Sequence, residues 1–311
     1  MHAPKISVIL VSDYSGGGWQ SWSELRRTLA ALARQDFHGA TEIILSECER
    51  FRDEVPADLC EIVPNLRTVY SSDNGSYSLK NSGVQAAAGD LIAILDADCV
   101  PAPDWIARLA DAFRRNPDIA VISGRTVYDG GRFRERAAAL LTRSYLDLGE
   151  AGTATFISNN NAAWKRSVWL EHPLPVGMGA FAARLQSESV LRAGYRIYFD
   201  PAVRVTHNFE GWKMETDIRR NIGYGTILTR LKDRRLPYAW LTKLSYACIP
   251  FVVAGKTWLG LGDCLRCWRH FGLRWYELPA TLGLAVAIHL FEVSGMWRAL
   301  AGKSLGATEY R

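Results

Sequence analysis

Long apolar runs are missing from this chain of 311 residues. Its two most apolar stretches, 244–255 and 278–291, both fall short of the roughly 20 residues that a membrane-crossing helix needs. Charge of one sign is also missing. Lys and Arg number 37 against 32 Asp and Glu, a net charge of +5, which excludes a dedicated nucleic-acid binder. Cysteine is sparse, with six residues scattered at Cys48, Cys60, Cys99, Cys248, Cys264 and Cys267. No secretory leader is expected, because Met1-His2-Ala3-Pro4-Lys5 runs directly into a strand-like segment. Reduced thiols are then the expectation, and Cys264-x-x-Cys267 lacks the second pair that a zinc site would need. No dinucleotide fingerprint is present, since Gly16-Gly17-Gly18 fails the required spacing. Residues 12–18 also contain no Lys or Arg, which argues against a basic phosphate loop. Aromatic content of 11% with only 22% charged residues excludes intrinsic disorder.

What is present first is alternation. Apolar runs at 6–11, 42–47, 66–70, 91–95 and 119–123 read as buried strands. Between them lie helical patterns. The first has a Ser21-x-x-Glu24 capping box and an apolar face on Leu25, Leu29 and Leu32. The second, 78–88, is rich in small residues and closed by Gly89. A third starts at Pro103, with Trp105, Ile106, Leu109, Ala112 and Phe113 on one face. Strand–helix alternation predicts a mostly parallel sheet flanked by helices, with ligands at the carboxyl ends of the strands.

The last third differs. Its apolar stretches are bracketed by Arg230, Lys232, Arg234 and Arg235, by Arg266, Arg269, His270 and Arg274, and by Arg298 and Lys303. A two-span hairpin would put one basic flank on the wrong side of a bilayer, so two helices lying at an anionic surface fit better. Trp240, Tyr246, Trp258, Trp268, Trp275, Tyr276 and Trp297 suit a headgroup-level belt. The alternative is a pair of buried helices in a soluble lobe. Gly223-Tyr224-Gly225 reads as a kink or turn, and Arg132, Arg134 and Arg136 as a solvated face.

Chemistry gathers after the fourth strand. Asp96-Ala97-Asp98 puts two carboxylates on one side of an extended chain, a pattern suited to a hard divalent cation and a diphosphate. With Lys80-Asn81-Ser82-Gly83, Ala88-Gly89-Asp90 and the apolar strand before it, this stretch resembles family-2 glycosyltransferases of the GT-A fold. So do Ser12 and Tyr14 after the first strand, the helix ending near Gln35, and the acidic end of 42–47. Residues 158–166 and 194–201, with His207 beyond them, resemble later segments of the same family. The resemblance runs in order over roughly 5–210.

The resemblance implies an α/β GT-A type nucleotide-diphospho-sugar transferase fold with a C-terminal helical, membrane-associated region. Residues 1–128 would form the nucleotide-sugar half, 129–210 the acceptor and catalytic half of the same domain, and 211–311 a membrane-interfacial or transmembrane region. The activity implied is metal-dependent, inverting transfer of a sugar from a nucleotide-diphosphate sugar to a hydroxyl of a lipid, lipid-linked or polysaccharide acceptor. It would take place at the cytoplasmic face of the cell membrane, in cell-envelope polysaccharide synthesis, without nucleic acid. Asp98 would be the principal metal ligand. Asp96 would contact the ribose or share the metal, and His207 would add a nitrogen ligand suited to Mn²⁺ over Mg²⁺. Glu47 would accept from a pyrimidine ring, with Ser12 and Tyr14 around the base and Lys80 and Asn81 beside the nucleotide.

One element of the pattern is absent. The family's acidic pair, whose Asp is the base, would fall about twelve residues before Gly194, where this chain has Ala182 and Ala183. Glu188 is the nearest acid and the expected base, with Asp147 and Glu150 as alternatives. The competing readings are a nucleotide-sugar-binding protein without catalysis and, last, a nucleotidyltransferase.

Overall fold

Two apolar runs, Ile6–Val11 (β1) and Leu91–Asp96 (β4), are buried along their whole length. They lie side by side in parallel at the centre of a nine-stranded sheet, with helices on both faces. In the computed structural model, residues 5–12, 19–178, 181–207 and 211–305 are described. In chain order, β1 is followed by α1 (Trp19–Leu32), β2 (Thr41–Cys48), α2 (Leu59–Ile62), β3 (Leu66–Ser71), α3 (Ser76–Ala86) and β4. Then come β5 (Cys99–Pro101), α4 (Trp105–Arg115), β6 (Ile119–Tyr128), α5 (Phe133–Arg143), β7 (Gly152–Ala154) and β8 (Asn161–Lys165). The chain continues through α6 (Arg166–Glu171), α7 (Ala182–Arg192) and β9 (Arg196–His207) into α8 (Trp212–Lys232), α9 (Cys248–Cys267) and α10 (Leu278–Leu300).

The sheet order is β3-β2-β1-β4-β8-β6-β9-β5, with β7 also on β9. The first four strands are parallel; β8 runs antiparallel to both neighbours, and β6 and β9 are parallel. One face packs Leu25, Leu29 and Leu32 of α1 and the apolar stripe of α4 against Val8, Leu10 and Leu95. The other packs α3 and α6 against Ile9, Ile92 and Ile94. Helix α3 sits unusually close to β1, because a Cβ at Gly83 would come within 2.4 Å of Ile9 Cγ2. That contact fixes the height of Lys80 above the strand ends.

Several local expectations need correction. Helix α1 begins at Trp19, so Ser21 lies in its first turn instead of capping it. Helix α3 ends before Gly89, which serves a different need. A Cβ there would lie 2.5 Å from Ser7 Oγ and 2.8 Å from the Lys5 carbonyl, so only glycine permits this crossing. Helix α4 starts at Trp105, two residues after Pro103.

Strand β9 carries a bulge. Its register on β6 jumps from Gly124↔Asp200 to Arg125↔Arg204, leaving Pro201, Ala202 and Val203 without partners in the ladder. Proline is tolerated where the ladder is broken. Gly124 is needed opposite, since a Cβ there would meet the Val203 carbonyl at 2.3 Å. Asn161 fixes the bulge by donating to the carbonyls of Arg125 and Val203 at 2.9 and 3.0 Å. The shifted register brings His207 opposite Cys99 and Tyr128.

The helical third also departs from expectation. Gly223 and Gly225 lie inside an unbroken α8. A Cβ at Gly223 would be 2.0 Å from the Glu292 carbonyl, and one at Gly295 would be 1.9 Å from that of Arg220. These glycines therefore set a close crossing of α8 and α10, in place of a kink. The apolar helices are also longer than their uncharged runs. The stretches Ala239–Cys267 and Trp275–Leu300 are long and apolar enough to cross a membrane by length and composition. Helix α9 continues past Lys256 because that side chain turns inward to Glu292. Arg136 is not a solvated residue either: it bonds Glu277 at 2.5 Å, tying α5 to the start of α10.

Candidate functional site

The carboxyl ends of β4 and β9, with α3, α5 and α8 around them, enclose a cavity of about 220 Å³. Lys80, Asp96, Asp98 and His207 all line it. Asp96 ends β4 in parallel register with Val11, and Lys80 Nζ reaches its carboxylate at 2.7 Å from α3. Asp98 Oδ2 meets His207 Nε2 at 2.9 Å, a contact set by the Cys99↔His207 pairing of β5 and β9. Asp98, Cys99 and His207 each offer a ligand atom, all within 4.8 Å of one another. The Asp98 oxygens and the His207 nitrogen form a mixed donor set that suits a divalent ion of the Mn²⁺ type. The Cys99 thiol is already engaged, with Asp98 Oδ1 at 3.3 Å and Asn160 Nδ2 at 3.5 Å.

Electrostatics separate the two carboxyls. Burial opposes ionisation of both. At Asp98 the charge and hydrogen bond of His207 outweigh burial and hold its pKa below the ordinary carboxylate range. Asp96 is pushed up by burial and by the neighbouring Asp98 charge, although Lys80 opposes the shift. Two buried carboxylates with histidine and lysine beside them form a site organised around positive charge.

The rest of the cavity was less legible. Asn159 and Asn160 line it at the turn before β8. Gln186 Nε2 donates to the His172 carbonyl at 3.0 Å, so its oxygen faces Asn159 Nδ2 at 3.1 Å. This orientation leaves Asn159 Oδ1 buried and without a hydrogen-bond partner, on a residue only 7% exposed. Arg143 lines the cavity over the Tyr128 ring at 5.8 Å, and its buried Nε makes no hydrogen bond. Helix α8 contributes Met214, Glu215, Ile218, Arg219 and Ile222, one helical face.

Other expected residues are distributed differently. Ser12 and Glu47 are buried at the ends of β1 and β2, but neither lines this cavity. Glu47 accepts from the Cys48 amide at 2.7 Å. Tyr14 lies outside the described residues. Asn81 turns away from the cavity: it donates to the Leu174 carbonyl and accepts from Trp169 Nε1 and the Leu174 amide, which tether α3 to α6 and its following loop. Ala183, where the resemblance would put the acidic pair, lines the cavity and presents a methyl group. Glu188, one and a half turns further along α7, is bonded by Arg184 at 2.6 Å and by Arg192 at 3.5 Å, outside the cavity wall. Asp147 is held by Arg125 at 2.9 Å and His270 at 3.2 Å, also outside it.

The comparisons agree with this architecture. The profile described as "Glycosyl transferase family 2" matches residues 19–171. A glucosyl-dolichyl phosphate glucuronosyltransferase from Haloferax volcanii is 28% identical over 125 residues, 40% of this chain and 39% of that protein. A hyaluronan synthase from Pasteurella multocida is 29% identical over 110 residues, 33% of this chain and 11% of that protein. The chain thus matches less than two fifths of the length of either relative. Among solved structures, the mannosyltransferase PcManGT from Pyrobaculum calidifontis, in complex with GDP-Man and Mn²⁺, superposes with a TM-score of 0.61 at 15% identity. That superposition covers 97% of this chain and 89% of the other. With the profile match, the mostly parallel sheet and the flanking helices taken together, residues 19–171 carry a glycosyl transferase family 2 domain, in a chain with a GT-A type fold.

Proposed function

We propose that this protein transfers a sugar from a nucleotide-diphosphate sugar to a hydroxyl of a lipid, lipid-linked or polysaccharide acceptor, with inversion and with a divalent metal. The observation that carries the reading is the convergence of Lys80–Asp96 and Asp98–His207 on one cavity at the strand ends. Asp98 and His207 would hold the ion, and a bound divalent ion supplies positive charge against the departing diphosphate. Lys80 orients Asp96 towards the ribose or the ion, as a point charge without the bidentate reach of an arginine. Ser12 and Glu47, at the ends of β1 and β2, would flank the nucleotide base. The relatives supply the analogy for substrates: a glucosyl-dolichyl phosphate glucuronosyltransferase, a hyaluronan synthase, and a mannosyltransferase with GDP-Man and Mn²⁺.

The helical third would hold this site against a membrane, at its cytoplasmic face. Trp258 and Trp275 are 77% and 76% exposed, and Leu259, Leu265, Leu290 and Phe291 are exposed with them. Both ends of α9 are pinned to the body of the protein: Ile249 packs with Ile227 of α8, and Cys264 packs with Ala137 and Leu140 of α5. A helix held at both ends along the flank suits burial of one face in the interfacial plane, without a crossing. A groove of about 570 Å³ between α9 and α10, walled by Val253, Trp258, Leu261 and Leu290, offers room for an apolar chain.

Ala183 in the cavity wall favours one competing reading, a nucleotide-sugar binder without catalysis. Acceptor-dependent release of nucleoside diphosphate decides between them. The assay uses UDP-, GDP-, CDP- and dTDP-sugars with Mn²⁺, and octyl glycosides or an extracted membrane lipid fraction as acceptor. The proposal expects release with one donor class only when acceptor is present. Donor binding without release under every combination would establish the competing reading.

A further inference from the structure

We infer that Glu215, on α8, is the general base for a sugar-hydroxyl acceptor, in the role left open by Ala182 and Ala183. The inference rests on the transferase reading above and adds the proton acceptor and the class of acceptor. Only three carboxylates line the cavity among the described residues: Asp96, Asp98 and Glu215. The first two are committed to Lys80 and His207 at the donor end. Glu215 comes from a different element, α8, and lines the same cavity as Ala183 and Asn159.

The packing of α8 explains how an acid on this helix can serve a site that α7 has vacated. The face that carries Met214, Glu215, Ile218, Arg219 and Ile222 into the cavity continues to Gly225. There α8 presses on the start of α7, with a Cβ at Gly225 only 2.9 Å from the Phe181 ring and 3.2 Å from the Met178 carbonyl. The two helices thus pack on each other beside the cavity that both line. Glu215 is also fixed in place: Arg219 Nε donates to its Oε1 at 2.6 Å, and Arg219 is held in turn by Glu292 of α10 at 3.8 Å. Glu292 carries Lys256 and His289 as further partners. A carboxylate anchored through one oxygen by a network of this depth has few rotamers left, which is what a positioned base requires.

A second, independent observation points to the ligand. Asn159 Oδ1 is buried, unpartnered and on the same cavity, and its orientation is fixed by Gln186. A buried carbonyl without a donor is costly, and an O–H group is the natural complement. One hydroxyl cannot give its proton to both groups. The pair therefore suits a polyhydroxylated acceptor, with one hydroxyl reacting at Glu215 and another bonding Asn159. In the step itself, the acceptor oxygen forms the new bond to the anomeric carbon while the bond to the diphosphate oxygen breaks. The leaving diphosphate takes that electron pair, and the hydroxyl proton passes to Glu215 and then to water.

The test uses the whole chain with Mn²⁺, UDP-glucose, UDP-glucuronic acid and GDP-mannose as donors, and octyl glucoside and octyl mannoside as acceptors. Glu215→Gln and Glu215→Ala should lower kcat by about 10²–10⁴-fold while leaving the nucleotide-induced thermal shift intact. Added formate should restore turnover in Glu215→Ala in proportion to its concentration, which a merely structural loss would not allow. Glu292→Gln, which loosens the anchor without removing the base, should show no formate response. Glu188→Gln should turn over like the wild type. Wild-type turnover with Glu215→Gln within about threefold of it, or with Glu215→Ala deaf to formate, overturns the inference alone. A wild type that binds nucleotide and Mn²⁺ but turns over with no donor overturns the transferase reading and this inference with it.

Discussion

The strand-end region and the helical third both bury charge, and they do so by opposite means. In the first, Asp96 and His207 are placed by ladders, Asp96 by its parallel register with Val11 and His207 by its antiparallel register with Cys99, and Lys80 reaches in from α3. In the second, Arg219, Glu292, Lys256 and His289 meet between three helices whose spacing depends on the absence of side chains at Gly223 and Gly295. Strand-end charges face the cavity and are available to a ligand, whereas most of the interhelical charges face one another. The strand-end positions are thus set mainly by backbone hydrogen bonding, and the α8 wall by side-chain packing. Disturbing the two should have different consequences.

The largest effect should come from the strand-end pair. Lys80→Met leaves Asp96 buried without its partner and should lower unfolding free energy by about 3–5 kcal/mol. Adding Asp96→Asn should recover most of that loss, read by urea denaturation. Next is the helical contact. Gly295→Leu drives a side chain into the Arg220 carbonyl and should cost about 1–3 kcal/mol. Gly283→Ala, in the same helix with nothing within 4 Å of its Cβ position, should be neutral or stabilising. If both glycines behave alike, close packing is not what holds α10 on α8.

A smaller effect is expected at the outer face. Trp258→Ser should weaken flotation with anionic vesicles by roughly tenfold, about 1.4 kcal/mol, with no change in melting temperature. Equal flotation would remove α9 from the membrane account. Smallest is the clasp at Asp147, where Arg125 and His270 outweigh burial and lower its pKa. A lowered folded-state pKa contributes stability that is present above the unfolded value and is lost as pH falls through the folded one. The stability gap between wild type and Asp147→Asn, about 1 kcal/mol, should therefore hold from neutral pH down to about 4 and close below it. A gap that widens in acid would contradict this sign.

The same contrast explains what could be read from sequence. Apolar runs announced β1, β2, β4 and β6, and strand ends are where an α/β sheet collects ligands, so Asp96 and Asp98 could be expected there, whereas His207 and Lys80 were expected only through the resemblance. Helical residues were not, because a pattern in sequence says which face a residue shares but not what that face meets. Asn81 was expected at the nucleotide and instead ties α3 to the Leu174 loop. Glu188 sits on a helix of the right length and points to two arginines. Glu215 and Arg219 are an acid and a base four residues apart, a spacing common on helices that by itself marks no site. The available signal was their company, Ile218 and Ile222 on one face and Gly225 beyond them, which marks a buried helix.

The most direct test of the account is the thermal stability of the purified protein with UDP, GDP, CDP or dTDP, with and without Mn²⁺, for wild type, Asp98→Asn and His207→Ala. One nucleotide at about 100 times its dissociation constant should stabilise the wild type by about 2.7 kcal/mol, only when Mn²⁺ is present, and neither variant should respond. A nucleotide shift that is indifferent to Mn²⁺ and survives both substitutions would contradict the assignment of Asp98 and His207. The absence of any shift in the wild type would contradict the donor site itself.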